Sequence, residues 1–223
     1  MMNIFSNEEK KVKSCPVCLS LQPKPFIKIQ SLQYWTCPIC EVKFLSPNHW
    51  LSKKDEYEFY LTHENDADNL GYRKFVSKLL EPLLEKLSKK TAGLDYGCGP
   101  SSALAKMFVE HGFKITLYDP FFYPAKDVLN FKYDFITCSE VVEHFHYPAK
   151  EFNKLNSLLK PGGWLGIMTS FQTDDSRFKN WGYRRDPTHV VFYRIKTFMV
   201  VAKRMGWSCE IPCRNIVLMN KPF

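Results

Sequence analysis

The sequence predicts a doubly wound α/β fold, a mostly parallel sheet with helices on both faces, carrying a small cysteine-based domain at its N-terminal side. Three observations predict it. Strand-like and helix-like segments alternate from Thr91 onward, which is the pattern of parallel strands joined by crossover helices. A glycine turn, Gly97-Cys-Gly99, sits where the first of these strands passes into a helix, and Asp119 ends the next strand twenty residues later. Ahead of them stand two Cys-x-x-Cys pairs, Cys15/Cys18 and Cys37/Cys40, separated by 18 residues, the spacing of a structural zinc site.

Composition bounds the reading. The 223 residues are 45% hydrophobic and 24% charged, ordinary globular usage that excludes collagen, disorder and coiled coil, and the length suits one catalytic-size domain plus an appendage. The longest apolar runs, 198–202 and 211–219, fall below the roughly 18 residues that span a bilayer. Residues 1–13 hold no apolar stretch between their charges, so no secretory signal and no membrane association are expected, and a cytoplasmic protein is the expectation. Lys and Arg number 31 against 23 Asp and Glu, a net charge of +8. That excess suits an anionic partner, RNA among them, but it is spread along the chain with no arginine-rich block.

In chain order, residues 1–46 are read as a zinc ribbon. A segment this short cannot fold on core burial alone, so four thiolates around zinc supply what the core lacks. Phe26-Ile-Lys-Ile-Gln30 and Gln33-Tyr-Trp-Thr36 alternate and form its hairpin. Cys98, Cys138, Cys209 and Cys213 lie in apolar surroundings and are expected in the core. Residues 47–69 form a helical linker, with Tyr57, Phe59, Tyr60 and His63 ahead of an acidic stretch starting at Glu64. Apolar positions recur at three and four over 70–87, a helix with one buried face, and Pro82 should kink it. Residues 70–223 then hold helices at 102–111, 149–159 and 196–205, and strands ending at Asp95 and at 114–118, 133–138, 164–169, 207–211 and 216–219.

The motifs carry the chemistry. In Leu94-Asp-Tyr-Gly97-Cys-Gly99 the glycines let the backbone approach a nucleotide closely, and the helix that follows presents free N–H groups. Asp119, at the second strand end, is placed to accept ribose hydroxyls. With two further blocks, Tyr133-Asp-Phe-Ile-Thr-Cys-Ser-Glu140-Val-Val-Glu143-His144 and Leu158-Leu-Lys-Pro-Gly-Gly-Trp-Leu-Gly-Ile167, residues 70–223 resemble the class I S-adenosylmethionine-dependent methyltransferases. The resemblance implies a Rossmann-like sheet that binds S-adenosylmethionine. Gly97 and Gly99 would line its methionine part, Asp119 would hold the ribose, Asp95 would support the glycine turn, and Glu140 would lie beside the cofactor. A dinucleotide-binding fold has no place for the block 158–167. Two departures stand out: Ser101 replaces the family's third glycine, and only 14 residues separate Asp119 from Asp134. A helix and a strand are cut down there, leaving Phe121, Phe122 and Tyr123 as an aromatic wall for the adenine.

Glu140, Glu143 and His144 fall at i, i+3 and i+4, and on a helix all three would share a face. With His189 they make a donor set for a second divalent metal, and similar Glu-x-x-Glu-His patterns occur in small-RNA and ubiquinone-pathway O-methyltransferases. His144 and His189 are the candidate bases, since a hydroxyl is a poor nucleophile until it is deprotonated. The long polar stretch 172–188 reads as a substrate lid, with Tyr183, Arg184 and Arg185 available to grip an anion. The expected reaction is O-methylation of a small anionic molecule. The alternatives are an RNA methyltransferase and a catalytically silent binding module.

Overall fold

A computed structural model describes residues 12–62 and 66–223. Residues 1–11 of the segment read as a ribbon, and His63 and Glu64 of the linker, lie outside the described residues. The elements in order are β1 (Lys24–Ile29), β2 (Leu32–Thr36), β3 (Lys43–Leu45), α1 (Lys53–Tyr60), α2 (Leu70–Leu84), β4 (Ala92–Tyr96), α3 (Ala103–Glu110), β5 (Lys114–Tyr118), β6 (Tyr133–Ser139), α4 (Pro148–Leu158), β7 (Leu159–Met168), β8 (Val191–Phe192), α5 (Ile195–Met205), β9 (Ser208–Glu210) and β10 (Ile216–Asn220). No helix among the described residues is long and apolar enough to cross a membrane.

The main sheet runs β5-β4-β6-β7-β10-β9. Its first four strands are parallel, while β10 pairs antiparallel with β7 and with β9. Side chains alternate across a strand, and the two faces bury different sets. Phe135, Met168, Ile216 and Leu218 pack with Val76, Leu79 and Leu83 of α2 and Phe108 of α3. Ile136, Ile167, Val217 and Met219 pack on the other side with Phe152 and Leu155 of α4 and Phe198 and Val201 of α5. The period-2 pattern of the strands and the period-3.6 pattern of the helices thus agree on a covered sheet.

Three expectations are corrected in detail. α4 stops at Leu158, and β7 starts immediately at Leu159, so Pro161-Gly162-Gly163 lies within β7 as an irregularity. Leu159 faces Tyr133 and Trp164 faces Phe135, and Gly162, at φ 75°, absorbs the extra chain between these pairs. Pro82 falls in the last turn of α2, which runs on to Leu84. Cys138 is buried as expected, but Cys98 and Cys209 are half-buried and Cys213 is exposed.

The connection from β5 to β6 contains an Asp119–Tyr123 bridge and a 3-10 turn at Lys126–Asn130, with no strand or full helix. In the second sheet, ordered β1-β2-β3-β8, the cysteine segment supplies three strands and the C-terminal part supplies the fourth. Further bonds tie the knuckles down: Thr197 Oγ1 donates to the Cys40 carbonyl at 2.8 Å, Arg204 to that of Val17 at 2.6 Å, and the Ala149 N–H to that of Pro16 at 3.0 Å.

At Gly93, mid-strand in β4, an added Cβ would sit 2.2 Å from the Phe135 ring. Phe135 is wholly buried and has nowhere to move. Gly93→Ala is therefore expected to destabilise the protein by about 1–3 kcal/mol, read as a melting temperature lowered by several degrees with the ligand-free protein.

Candidate active site

The site begins where β4 ends. Gly97 and Gly99 have φ of 79° and 65°, a conformation that side chains disfavour, and a Cβ on Gly97 would meet the Val141 methyls at 2.6 and 2.7 Å. The turn is latched to β5, because the N–H groups of Gly97 and Cys98 both donate to the Tyr118 carbonyl, at 2.7 and 3.2 Å. Beneath it Asp95 is 3% exposed and accepts from Ser102 Oγ at 2.6 Å and Thr137 Oγ1 at 2.7 Å. Ser102 Oγ in turn accepts from the Ala105 N–H at 2.9 Å, capping α3. Burial holds the Asp95 carboxyl above its ordinary value, opposed by these two hydroxyls.

Asp119 closes the other side of the turn. Its Oδ2 accepts from the Gly99 N–H at 3.1 Å, and its Oδ1 from those of Phe121 and Phe122 at 2.8 and 3.1 Å. Phe121 and Phe122 follow it into a cavity of about 1070 Å3 that Gly97, Gly99 and Asp119 also line. Tyr123 is absent from the lining and donates to the Pro100 carbonyl instead.

The same cavity is lined by Glu140, His144, Tyr183 and His189. The expected helix is absent: Glu140 takes a left-handed φ of 54°, and only a 3-10 turn, Val142–His144, follows. The i, i+3, i+4 face therefore does not form. Glu143 is fully buried behind the lining and accepts from Tyr183 Oη at 2.5 Å and Thr169 Oγ1 at 2.9 Å. Glu143, His144 and His189 bring their ligand atoms within 4.8 Å of one another, and Glu140 stays outside this group. Burial pushes the carboxyls of Glu140 and Glu143 up to about 7, and the charge of Glu140 adds to the shift at Glu143.

The imidazoles of His144 and His189 lie 4.7 Å apart. Their Nδ1 atoms lie 3.2 Å from the Thr188 carbonyl and 2.7 Å from the Tyr183 carbonyl, respectively. A carbonyl only accepts, so both rings carry their proton on Nδ1 and present Nε2 as the basic nitrogen. Asp186 Oδ2 lies 3.7 Å from His189 Nε2.

Arg184 and Arg185, read from the sequence as an anion grip, lie outside the cavity lining. The 3-10 turn Gly182–Arg185 turns Tyr183 inward, while Arg184 donates to Tyr34 Oη at 3.1 Å and to the Lys179 carbonyl at 3.0 Å. Arg184 thereby joins the lid to β2, and Arg185 is exposed outside the cavity lining. The linker, by contrast, reaches the site. Ser52 caps α1, whose Lys53, Glu56 and Tyr60 line the cavity. Tyr60 packs edge-on against His144 at 5.5 Å, and Tyr57 stacks on Phe121 at 5.9 Å. Visible signals were the Ser52-x-x-Asp55 cap and the Tyr57/Tyr60 spacing; for Asp186 it was its place three residues before His189.

The four knuckle sulfurs gather at one point. Cys15 and Cys40 Sγ are 3.6 Å apart, Cys18 and Cys37 Sγ 3.5 Å apart, and all four lie within 4.8 Å of one another. Zn–S bonds of about 2.3 Å in a tetrahedron require an edge of about 3.8 Å, so the donor set fits zinc.

Residues 69–210 match a family described as a methyltransferase domain. Among solved structures, an S-adenosylmethionine-dependent methyltransferase from Archaeoglobus fulgidus is 17% identical with a TM-score of 0.51, over 67% of this chain and 94% of that one. The 1,6-didemethyltoxoflavin-N1-methyltransferase of Burkholderia thailandensis, solved with 1,6-didemethyltoxoflavin and S-adenosylhomocysteine, is 13% identical with a TM-score of 0.50, over 90% of this chain and all of that one. Both likenesses are of fold. No curated protein matches the sequence.

Glu56 offers a pH test of the cavity wall. It is 6% exposed, burial pushes its carboxyl up to about 7, and it is hydrogen-bonded to Tyr60; His146 Nε2 lies 3.6 Å away. With the folded value raised, the contribution of this group to stability is complete below its unfolded range near 4.5 and is lost as pH rises through about 7. Urea unfolding should show Glu56→Gln gaining roughly 1–3 kcal/mol on the wild type between pH 5 and pH 8.

Proposed function

The chain belongs to the methyltransferase domain family, and from that premise we propose that it transfers the methyl group of S-adenosylmethionine to a hydroxyl of a small molecule. The observation that carries this reading is that one cavity is lined both by Gly97, Gly99 and Asp119 and by the His144 and His189 pair. The cavity suits the cofactor in two respects. Gly97 and Gly99 bring backbone without side chains to its lining, and Ser139 Oγ, on the lining, is buried without a partner, a donor and acceptor left for a ligand. Gly97 and Gly99 would border the methionine part, and Asp119 would accept from the ribose, since a carboxylate accepting three N–H bonds keeps further lone-pair capacity.

The cofactor supplies an activated methyl group, so the protein's task is alignment and removal of the acceptor proton. His189 takes that proton on Nε2, with the Asp186 carboxylate 3.7 Å away to stabilise the imidazolium. His144 shares the wall and is the second candidate. Tyr183, anchored on Glu143, holds the carbonyl that fixes the His189 tautomer. This base reading is favoured over a divalent ion at Glu143, His144 and His189, because Glu140, the fourth donor of that set, stays outside the group.

The acceptor is neutral or cationic in this reading. Arg184 and Arg185 are absent from the lining, where the carboxyl groups of Glu56, Asp119, Glu140, Glu151 and Asp186 outnumber the ammonium groups of Lys53 and Lys154, a balance that disfavours the anion expected from the sequence. In the N-terminal region we place one structural zinc on Cys15, Cys18, Cys37 and Cys40, supported by the sulfur spacing.

Calorimetry should show S-adenosylmethionine binding, weakened by about 1–3 kcal/mol in Asp119→Ala; no binding at millimolar cofactor would leave only a silent module. Transfer of labelled methyl groups to a metabolite extract, abolished by Asp119→Ala, is the expected result. Transfer to cellular RNA instead, with affinity falling steeply as salt is raised, would replace the small-molecule reading. Metal analysis should find about one zinc per chain, lost in Cys37→Ser, while cofactor binding largely survives.

A further inference from the structure

We propose that Glu56 and His146 form the seat for an ammonium group of the acceptor, so that the substrate is a hydroxyl-bearing amine held by its cationic end. This rests on the methyltransferase reading and deepens it by assigning a substrate class to the part of the cavity beside α1.

α1 is a polar helix that buries one residue, and that residue is Glu56. A carboxylate is rarely buried unless it is paired, and no Lys or Arg pairs with this one among the described residues. Lys53, one turn earlier, lines the cavity but is exposed. Tyr60 hydrogen-bonds to the carboxyl, and His146 Nε2 stands 3.6 Å from Glu56 Oε1, beyond hydrogen-bonding distance. Glu56 is a negative charge short of a partner.

His146 lacks a partner as well. Its Nε2 is buried with no hydrogen bond, a position that a ligand would satisfy. Trp50 stacks on the imidazole, with ring centres 4.3 Å apart and planes at 4°, so the ring is held in one plane with Nε2 beside Glu56. With its proton on Nδ1, that nitrogen accepts. Two acceptors thus stand side by side among the lining residues.

An ammonium group fits this pair better than a hydroxyl. It donates to both acceptors at once and supplies the charge that the buried carboxylate lacks, whereas a hydroxyl has one proton to give. Tyr60 and Tyr147, one turn beyond Glu56 and one residue beyond His146, also line the cavity, and aromatic rings favour a cation. Placement separates the seat from the chemistry. The turn of α1 that carries Tyr60 packs against His144 at 5.5 Å, and Glu56 lies about 6 Å of helix away from it. The ammonium is therefore the handle, and the hydroxyl reaches the histidine pair.

The test uses three probes of one shape and different charge: benzylamine, benzyl alcohol and benzoate. Each is titrated into the full chain by ligand-observed NMR at about pH 8, where the amine and the Glu56 carboxyl are both charged, with S-adenosylhomocysteine calorimetry on the same samples. The wild type should prefer benzylamine to either other probe by at least roughly tenfold. Glu56→Gln, which keeps the shape and a hydrogen bond to Tyr60, should bring benzylamine to within about threefold of benzyl alcohol. His146→Phe, which keeps a ring on Trp50, should weaken benzylamine by about three- to tenfold. Both variants should hold S-adenosylhomocysteine to within about twofold of the wild type, since both residues stand apart from the glycine turn and Asp119. Melting curves report folding, and if His146→Phe does not fold, Glu56→Gln decides alone. A preference for benzyl alcohol or benzoate, no preference, or an amine preference that survives Glu56→Gln would overturn the assignment while S-adenosylhomocysteine binding keeps the methyltransferase reading in place. Failure of the wild type to bind S-adenosylhomocysteine at all would overturn both.

Discussion

A buried carboxylate organises the site. Asp95 sits inside the sheet with one oxygen on Thr137 of β6 and the other on Ser102, the residue that caps α3. Burying an ionisable group is costly unless it is hydrogen-bonded, and only one arrangement of β4, β6 and α3 satisfies both oxygens. The glycine turn lies directly between Asp95 and Ser102, so its path is set from both ends. Asp119 then needs no rigid scaffold of its own. Its carboxylate is gripped by the N–H of Gly99 on one side and those of Phe121 and Phe122 on the other, making the loop after β5 an extension of the turn.

The parts legible in the sequence are those governed by short-range physics. The Gly97 and Gly99 positions, the start of α3 behind Ser102, the ends of β5 and the buried stripe of α2 all follow from neighbours within a few residues. The parts that were misread depend on contacts across the chain. Arg184 had the composition of an anion grip, and nothing nearby in sequence showed that Tyr34, 150 residues earlier, would take it. The Glu140, Glu143 and His144 spacing suggested a helical face, but the left-handed backbone at Glu140 broke the period before it could act. α1 had the opposite fate. Its polar, aromatic sequence reads as a surface linker, yet its tyrosines meet Phe121 and His144 because the short connection after β5 leaves space above the cofactor side.

The two histidines of the cavity owe their orientation to the main chain. Each ring is oriented by a backbone carbonyl, at Thr188 and at Tyr183, so the tautomers follow from the path of the lid. That path is held by Tyr183 on Glu143 and by Arg184 on Tyr34. The cysteine segment and the His189 ring are therefore mechanically continuous: β2 anchors Arg184, Arg184 anchors the turn that carries Tyr183, and the Tyr183 carbonyl orients His189.

The pairing of β3 with β8 has a consequence for the order in which the molecule is assembled. Phe44 finds its strand partner at Val191, so the cysteine segment leaves the ribosome long before its sheet can be finished. Until then β3 has an unpaired edge, and closing so long a loop is slow compared with forming the local hairpin of β1 and β2. During synthesis the ribbon is a waiting template. Its last strand arrives just behind His189, so completing the early-made sheet and seating the late-made imidazole are one event in the history of each chain.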